Sequence, residues 1–305
     1  MSTLLAPLLL GAGLVLIVGG AEVFFAGLMS SASRLDVAPF VLVVVISGFE
    51  LENLAAGIAA NVNGFGNAAA GTFLGGTTFL ALGVAGLSAV AAPIRADLPW
   101  PILAWALAAP LPLLALGLDG EFSRSDGVLL VAWFVVCLTG TAYGGRSLTA
   151  GPTPPPRRFA AVRIVSGLAL LTIGGHVLGE GIARVLARFD ISQSLLGNIP
   201  IAAAVEAEEV ARVAVPARRG RGDIALGGVF GTIIHFAAFN AGVICIVRPI
   251  ELDAASQHLH LPMAAAAVVG LVACVATRGG VSRAAGAMLL AVYAGYVVAA
   301  IALGT

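Results

Sequence analysis

The sequence predicts an all-α polytopic membrane protein, with about ten transmembrane helices in two inverted five-helix repeats. Three observations predict it. Of 305 residues, 59% are hydrophobic and only 10% charged, against about 25% charge in a soluble domain. The hydrophobic residues gather in runs of roughly 20, the length at which a helix crosses the hydrocarbon core. The chain also repeats itself: 48–94 aligns without gaps on 204–250, an offset of 156, with 13 identities in 47 pairs.

The apolar runs and the polar breaks between them place spans at 4–33, 38–61, 67–92, 99–118, 127–145, 159–188, 194–215, 222–247, 261–277 and 281–303. Helices are expected throughout, because lipid offers backbone groups no partner and no run alternates polar with apolar. The longest polar break, which holds Pro154-Pro155-Pro156, reads as a stiff linker. It divides the chain into a first repeat at 1–145, a linker at 146–158 and a second repeat at 159–305. Helices two, three, seven and eight are expected to be broken, as helices that carry a transport site often are.

All sixteen basic residues are arginine and the acids number sixteen, so net charge is zero and no nucleic-acid partner is expected. With the N-terminus outside, twelve arginines, among them Arg34, Arg95, Arg146, Arg212 and Arg278, fall in inner loops and helix ends. Only Arg124, Arg184, Arg188 and Arg248 fall outside. Cytoplasmic loops collect arginine, so both termini are expected outside, the linker inside, and the protein in the plasma (inner) membrane. No basic residue precedes Arg34, unlike the start of a signal peptide. Cys137, Cys245 and Cys274 sit in apolar runs and read as core residues, neither disulfides nor a metal cluster.

Within the repeat, Glu50 pairs with Glu206, Glu52 with Glu208, Gly71 with Gly227, Gly75 with Gly231 and Pro93-Ile94 with Pro249-Ile250. Upstream the offset becomes 154, matching Gly20 with Gly174 and Gly27 with Gly181. Five spans is an odd number, so the second copy must face the other way. Inverted repeats mark secondary transporters, whose site lies near the midplane between the copies.

Spans two and seven carry five carboxylates midway along their length: Glu50, Glu52, Glu206, Glu208 and Glu209. Each costs about 2.5–3.5 kcal/mol at mid-helix, and no arginine lies in 46–54 or 202–210. Protonation, a bound cation or a water-filled cavity must therefore stabilise them. Residues three apart share a helix face, which pairs Glu50 with Asn53 and Glu206 with Glu209 facing inward. Glu52 and Glu208 then flank the cavity or face neighbouring helices. Thr77, Thr78 and Thr232 follow in glycine-rich spans three and eight and offer hydroxyl oxygens to a cation. His235 either titrates or is a satisfied core histidine. Glu22 and His176, at matching positions in spans one and six, are candidates for a proton relay.

This layout resembles the calcium:cation antiporter superfamily of sodium/calcium and proton/calcium exchangers. Its members have ten helices in two inverted halves, each with Gly-Thr-Ser-x-Pro-Glu-Leu followed by Gly-Asn-x-x-Gly-Ser-Asn. Gly48 to Leu54 and Ala204 to Val210 stand in place of the first motif, and Gly71 to Thr77 and Gly227 to Ile233 in place of the second. The family's central glutamate falls on Asn53 in the first repeat and is kept as Glu209 in the second. Its Thr-Ser pair becomes Phe49-Glu50 and Val205-Glu206, and its proline becomes Glu52 and Glu208.

The resemblance implies a secondary antiporter working by alternating access. Inorganic cations and the bilayer are its expected partners, and no cofactor is expected. A divalent cation, calcium by default, would bind at Glu50, Asn53, Glu206 and Glu209, with Glu50, Glu206 and Glu209 as metal ligands. The counter-ion would be protons or sodium. Most hydroxyls that the family's sodium sites use are replaced here, which favours protons. Two alternatives stay open: a monovalent cation/proton antiporter, and an intramembrane enzyme using paired carboxylates.

Overall fold

In the computed structural model, which describes residues 5–48, 50–146, 148, 159–186 and 207–302, eight helices are long and apolar enough to span a membrane. The chain runs through α1 (Leu5–Leu35), α2 (Pro39–Ile46), α3 (Leu51–Val62), α4 (Gly66–Ala91) and α5 (Trp100–Asp119). It continues through α6 (Arg124–Gly145), α7 (Ala160–Leu186), α8 (207–218), α9 (Gly222–Val247), α10 (Ser256–Arg278) and α11 (Arg283–Ala302). The eight long helices end within five residues of the expected boundaries. Expected span two is α2 plus α3, separated by an interruption in which the described residues Ser47, Gly48 and Glu50 are not helical. Span seven is described only from 207. Glu206 and linker residues 149–158 lie outside the described residues.

Two expectations are corrected. Helices three and eight do not break: α4 and α9 each run on continuously and carry a π-helical stretch, Phe79–Val84 and His235–Asn240. A π turn shifts the side-chain register while keeping backbone groups bonded, whereas a break leaves orphan groups that lipid cannot satisfy. His258 and His260, in the break between the expected spans at 222–247 and 261–277, lie instead in a π turn at Ser256–His260 that starts α10.

The sequence offset recurs in the backbone. α4 and α9 begin, enter their π stretches and end 156 residues apart. Gly64 and Gly220, also 156 apart, turn the chain into these helices with φ of 89° and 70°, a left-handed conformation that glycine adopts at little cost. Strands β1 (Ile94–Arg95), β2 (Glu121–Phe122), β3 (Ile250–Glu251) and β4 (Gly280–Val281) form two antiparallel pairs, β1 with β4 and β2 with β3. Each pair joins two loops that the arginine count assigns to one side of the membrane. The exchange is reciprocal: the strand after α4 pairs beyond α10, and the strand after α9 pairs beyond α5.

Helix contacts depend on small residues, which let backbones approach where lipid supplies no hydrophobic drive. Gly13, Gly20 and Gly27 on α1 face Leu178, Leu171 and Ile164 on α7. Gly167, Gly174 and Gly181 on α7 face Phe24, Ile17 and Leu10 on α1. A methyl group at any of the six would lie 2.4–2.9 Å from the partner's backbone nitrogen. The seven-residue spacing keeps each stripe on one face. Gly86 meets Gly286 and Gly127 meets Gly242 in the same manner. Burial separates centre from periphery: 72% and 83% of the apolar windows of α4 and α9 are buried, against 28% for α1 and 22% for α11. All three cysteines are free and buried.

Candidate cation site

The site starts from the interruption of span two. Pro39, pre-set for a helical φ, opens α2, which ends at Ile46. Gly48 then passes so close to α9 that a Cβ there would lie 2.1 Å from His235 Nδ1. The Ser47 hydroxyl donates to the Gly228 carbonyl at 3.1 Å, pinning the interruption to α9. Glu50 is the N-cap residue of α3, so its carboxyl sits where the C-terminus of one half-helix meets the N-terminus of the next.

Glu50 is buried, and its Oε2 accepts a 2.6 Å hydrogen bond from Asn53 Nδ2. This joins the two residues that the three-residue spacing paired. Glu209, also buried, approaches from α8. Arg212 lies between them: its Nη2 pairs with Glu50 Oε1 at 3.0 Å and with Glu209 Oε1, and its Nη1 donates to the Ser47 carbonyl at 3.2 Å. The expectation that no arginine neutralises the acids is therefore corrected. Arg212, counted with the inner helix ends, follows Glu209 by three residues and shares its helix face. It also places a cation at the carbonyl end of α2, which the helix dipole favours.

A cavity of about 200 Å³ opens beside this cluster. Glu50, Asn53, Thr72 and Glu209 supply its polar wall, and Phe79 and Phe236, from the two π stretches, supply apolar wall. Asn53 gives its amide N–H to Glu50, which leaves Oδ1 as an acceptor. Among the described residues no three His, Cys, Asp or Glu side chains gather to hold a metal by themselves. The donor set facing the cavity is two carboxylates, an amide oxygen and a hydroxyl, all hard oxygen ligands.

The other candidates are spread more widely. Glu208 is buried and close enough to Arg212, Glu52 and Glu50 to feel their charge, whereas Glu52 is exposed in the first turn of α3. Thr77 and Thr232 are buried but do not line the cavity. The Thr77 hydroxyl has no hydrogen-bond partner among the described residues, and that of Thr232 donates to the Gly228 carbonyl at 3.0 Å. His235 is fully buried, its Nδ1–H donating to the Gly231 carbonyl at 2.8 Å and its ring packed edge-on at 4.7 Å from Phe134. Glu22 and His176 are not brought to the cavity. Glu22 accepts from Arg219 Nη2 at 2.5 Å, and exposed His176 donates from Nδ1 to the Thr172 carbonyl at 3.0 Å.

Sequence reasoning missed Arg212, Thr72 and Ser47. The three-residue step from Glu209 could have found Arg212. Thr72 shares a face with Gly76 and Phe79 at i+4 and i+7, also a legible signal. Nothing in the sequence marks Ser47.

Comparison with known proteins gives a consistent result. The family model described as sodium/calcium exchanger protein matches residues 5–142 and 159–302. A protein of Alkalimonas amylolytica that carries the name antiporter CaxA is 27% identical, covering 96% of this chain and 98% of that one. The inner membrane protein YrbG of Escherichia coli K12 is 29% identical, covering 82% of each chain. The solved structure of the sodium-calcium exchanger NCX_Mj, soaked without Na+ and Ca2+, superposes with a TM-score of 0.79 over 98% of both chains, at 24% identity.

Proposed function

This chain belongs to the sodium/calcium exchanger protein family and is an integral membrane cation antiporter; on that premise we propose that it exchanges a divalent cation, calcium by default, for protons by alternating access. Family membership places it among transporters, not enzymes, which removes the reading as an intramembrane enzyme using paired carboxylates. The observation that carries the proposal is the convergence of Glu50, Asn53 and Glu209 on one cavity at a helix interruption. Arg212 pairs with Glu50 and Glu209, and buried Glu208 lies within electrostatic reach of it. Fully ionised, these three carboxylates exceed the guanidinium by two negative charges and the proposed ligand Glu206 adds a third, a surplus that a divalent ion, or protons in its place, would neutralise. Hard oxygen donors of this kind suit calcium, magnesium or manganese.

The counter-ion assignment follows from competition for the same oxygens. A bound cation expels protons from its ligands, and reciprocity requires acid to weaken cation binding. One observation favours a second reading, a monovalent cation/proton antiporter. Arg212 leaves the cavity-lining pair Glu50 and Glu209 with one net negative charge, so a site in which Glu208 keeps its proton would suit a monovalent ion.

We read residues 1–145 and 159–305 as the two copies of an inverted repeat joined by a cytoplasmic linker at 146–158. The reciprocal strand exchange and the 156-residue recurrence support this reading. Glu206 is retained as a proposed ligand with Glu50 and Glu209. Both termini are assigned to the outside of the plasma (inner) membrane. Uptake into proteoliposomes with a panel of cations, under imposed proton or sodium gradients, tests the function. Divalent uptake should be driven by an outward proton gradient and weaken on acidification between about pH 8 and 5. Uptake indifferent to pH but steep in a sodium gradient would overturn the proton assignment.

A further inference from the structure

Arg212 is held by oxygens alone. Its side chain is 13% exposed, and its partners are Glu50 Oε1, Glu209 Oε1 and the Ser47 carbonyl at the end of α2. Two carboxylates and a carbonyl from an interrupted helix are the ligands that an unhydrated monovalent cation takes in a transporter. As structural glue this arrangement would be a poor choice, because burying ion pairs costs desolvation that apolar packing avoids. It also joins span two to α8, elements from the two halves of the chain. The position 156 residues earlier is Ala56, so the guanidinium is single, with no counterpart at the matching position of the first half.

We propose that Arg212 is a resident cation: its guanidinium fills a monovalent-cation subsite made by Glu50, Glu209 and the Ser47 carbonyl, so that sodium is excluded from it and exchange runs without a sodium co-ion. An arginine cannot be deprotonated in a protein, so the subsite stays filled at every working pH. The transported cation then meets the oxygens that remain, on Asn53, Thr72 and the second oxygens of the two carboxylates. The proposal rests on the cation-antiporter reading above.

The test uses the purified full-length chain. Thermal unfolding in detergent is followed while choline is exchanged for sodium at constant ionic strength. Wild type should be indifferent. Arg212→Gln and Arg212→Met, with the two carboxylates bared, should gain saturable stabilisation by sodium, whereas Arg212→Lys should stay indifferent. In proteoliposomes, sodium should inhibit divalent-cation uptake by Arg212→Gln at about tenfold lower concentration than for wild type. Sodium stabilisation of wild type, or neutral variants as indifferent as wild type, would overturn the proposal. Should both neutral variants fail to accumulate, Glu50→Gln decides. It leaves Arg212 paired with Glu209, so indifference to sodium supports the resident cation and stabilisation by sodium refutes it. Failure of wild type to move any divalent ion would sink the functional reading yet leave the sodium result standing, so the two failures are separable.

Discussion

α4 and α9 share a backbone and differ in chemistry. Their ends and π stretches fall 156 residues apart, yet Thr72 of α4 corresponds to Gly228 of α9, and Phe79 to His235. The helices before them diverge further: Asn53 corresponds to Glu209 and Ala56 to Arg212. Conserved between the halves are the residues that the backbone requires, such as Gly64 and Gly220 in their left-handed turns and Gly86 and Gly242 at close contacts. Of the polar side chains that face the cavity, Glu50 keeps its counterpart in Glu206, whereas Asn53 and Thr72 are exchanged for Glu209 and Gly228. One half supplies a carboxylate with neutral dipoles, and the other supplies acids and their counter-charge. An ion between them meets an asymmetric field on a symmetric scaffold.

The sharpest way to break this contrast is Glu209→Gln. Removing one partner of a buried ion pair costs about 3–5 kcal/mol, and here it leaves Arg212 held by Glu50 and the Ser47 carbonyl. Cation uptake into proteoliposomes should fall to the liposome background. Uptake close to wild type would mean that the charged half is not where the ion binds. The matching change in the neutral half, Asn53→Ala, removes a hydrogen bond to a carboxylate worth about 1.5–3 kcal/mol. Apparent cation affinity should weaken by about tenfold or more while the protein still folds, as read from the concentration dependence of uptake.

A smaller effect separates backbone from chemistry. Gly48→Ala would place a methyl 2.1 Å from His235 Nδ1, whereas a methyl at Gly270 on α10, away from the cavity, meets nothing within 4 Å. Gly48→Ala should lower both the unfolding temperature and the rate of uptake, and Gly270→Ala should leave both near wild type. Equal tolerance at the two positions would show that the chain at Gly48 has room to move away from α9.

Most of the architecture was legible because it depends on one-dimensional signals. Apolar run length places the spans, and the 156-residue offset anticipates which elements recur. The Glu50–Asn53 hydrogen bond follows from the three-residue spacing, which in the structure runs from the N-cap of α3 to its first turn. The π stretches were not legible. Phe79–Val84 and His235–Asn240 share almost no side chains, and a π turn is set by how neighbouring helices pack, not by a local pattern. Arg212 was misplaced for a different reason. Counting arginines by loop treats each as a surface charge, while its role comes from Glu209 one turn earlier and from Ser47 and Glu50 at the interruption between α2 and α3. A long-range contact of that kind has no local signature.

The smallest effect tests the asymmetry at Glu52 and Glu208, a pair that the repeat treats as equivalent. Glu208 is buried within electrostatic reach of Arg212 and Glu50, whereas Glu52 is exposed on the first turn of α3. A carboxylate in a first turn gains about 0.3–1 kcal/mol from the helix dipole, and an exposed one loses little when neutralised. Glu52→Gln should therefore change apparent cation affinity by less than about threefold. Glu208→Gln removes a buried charge from the cluster that balances the ion, and the loss should be at least about tenfold. Measuring both variants in one preparation makes the ratio the readout, so differences in reconstitution efficiency cancel. Equal losses would mean that Glu52 also borders the ion's path, and the two halves would then contribute acids symmetrically after all.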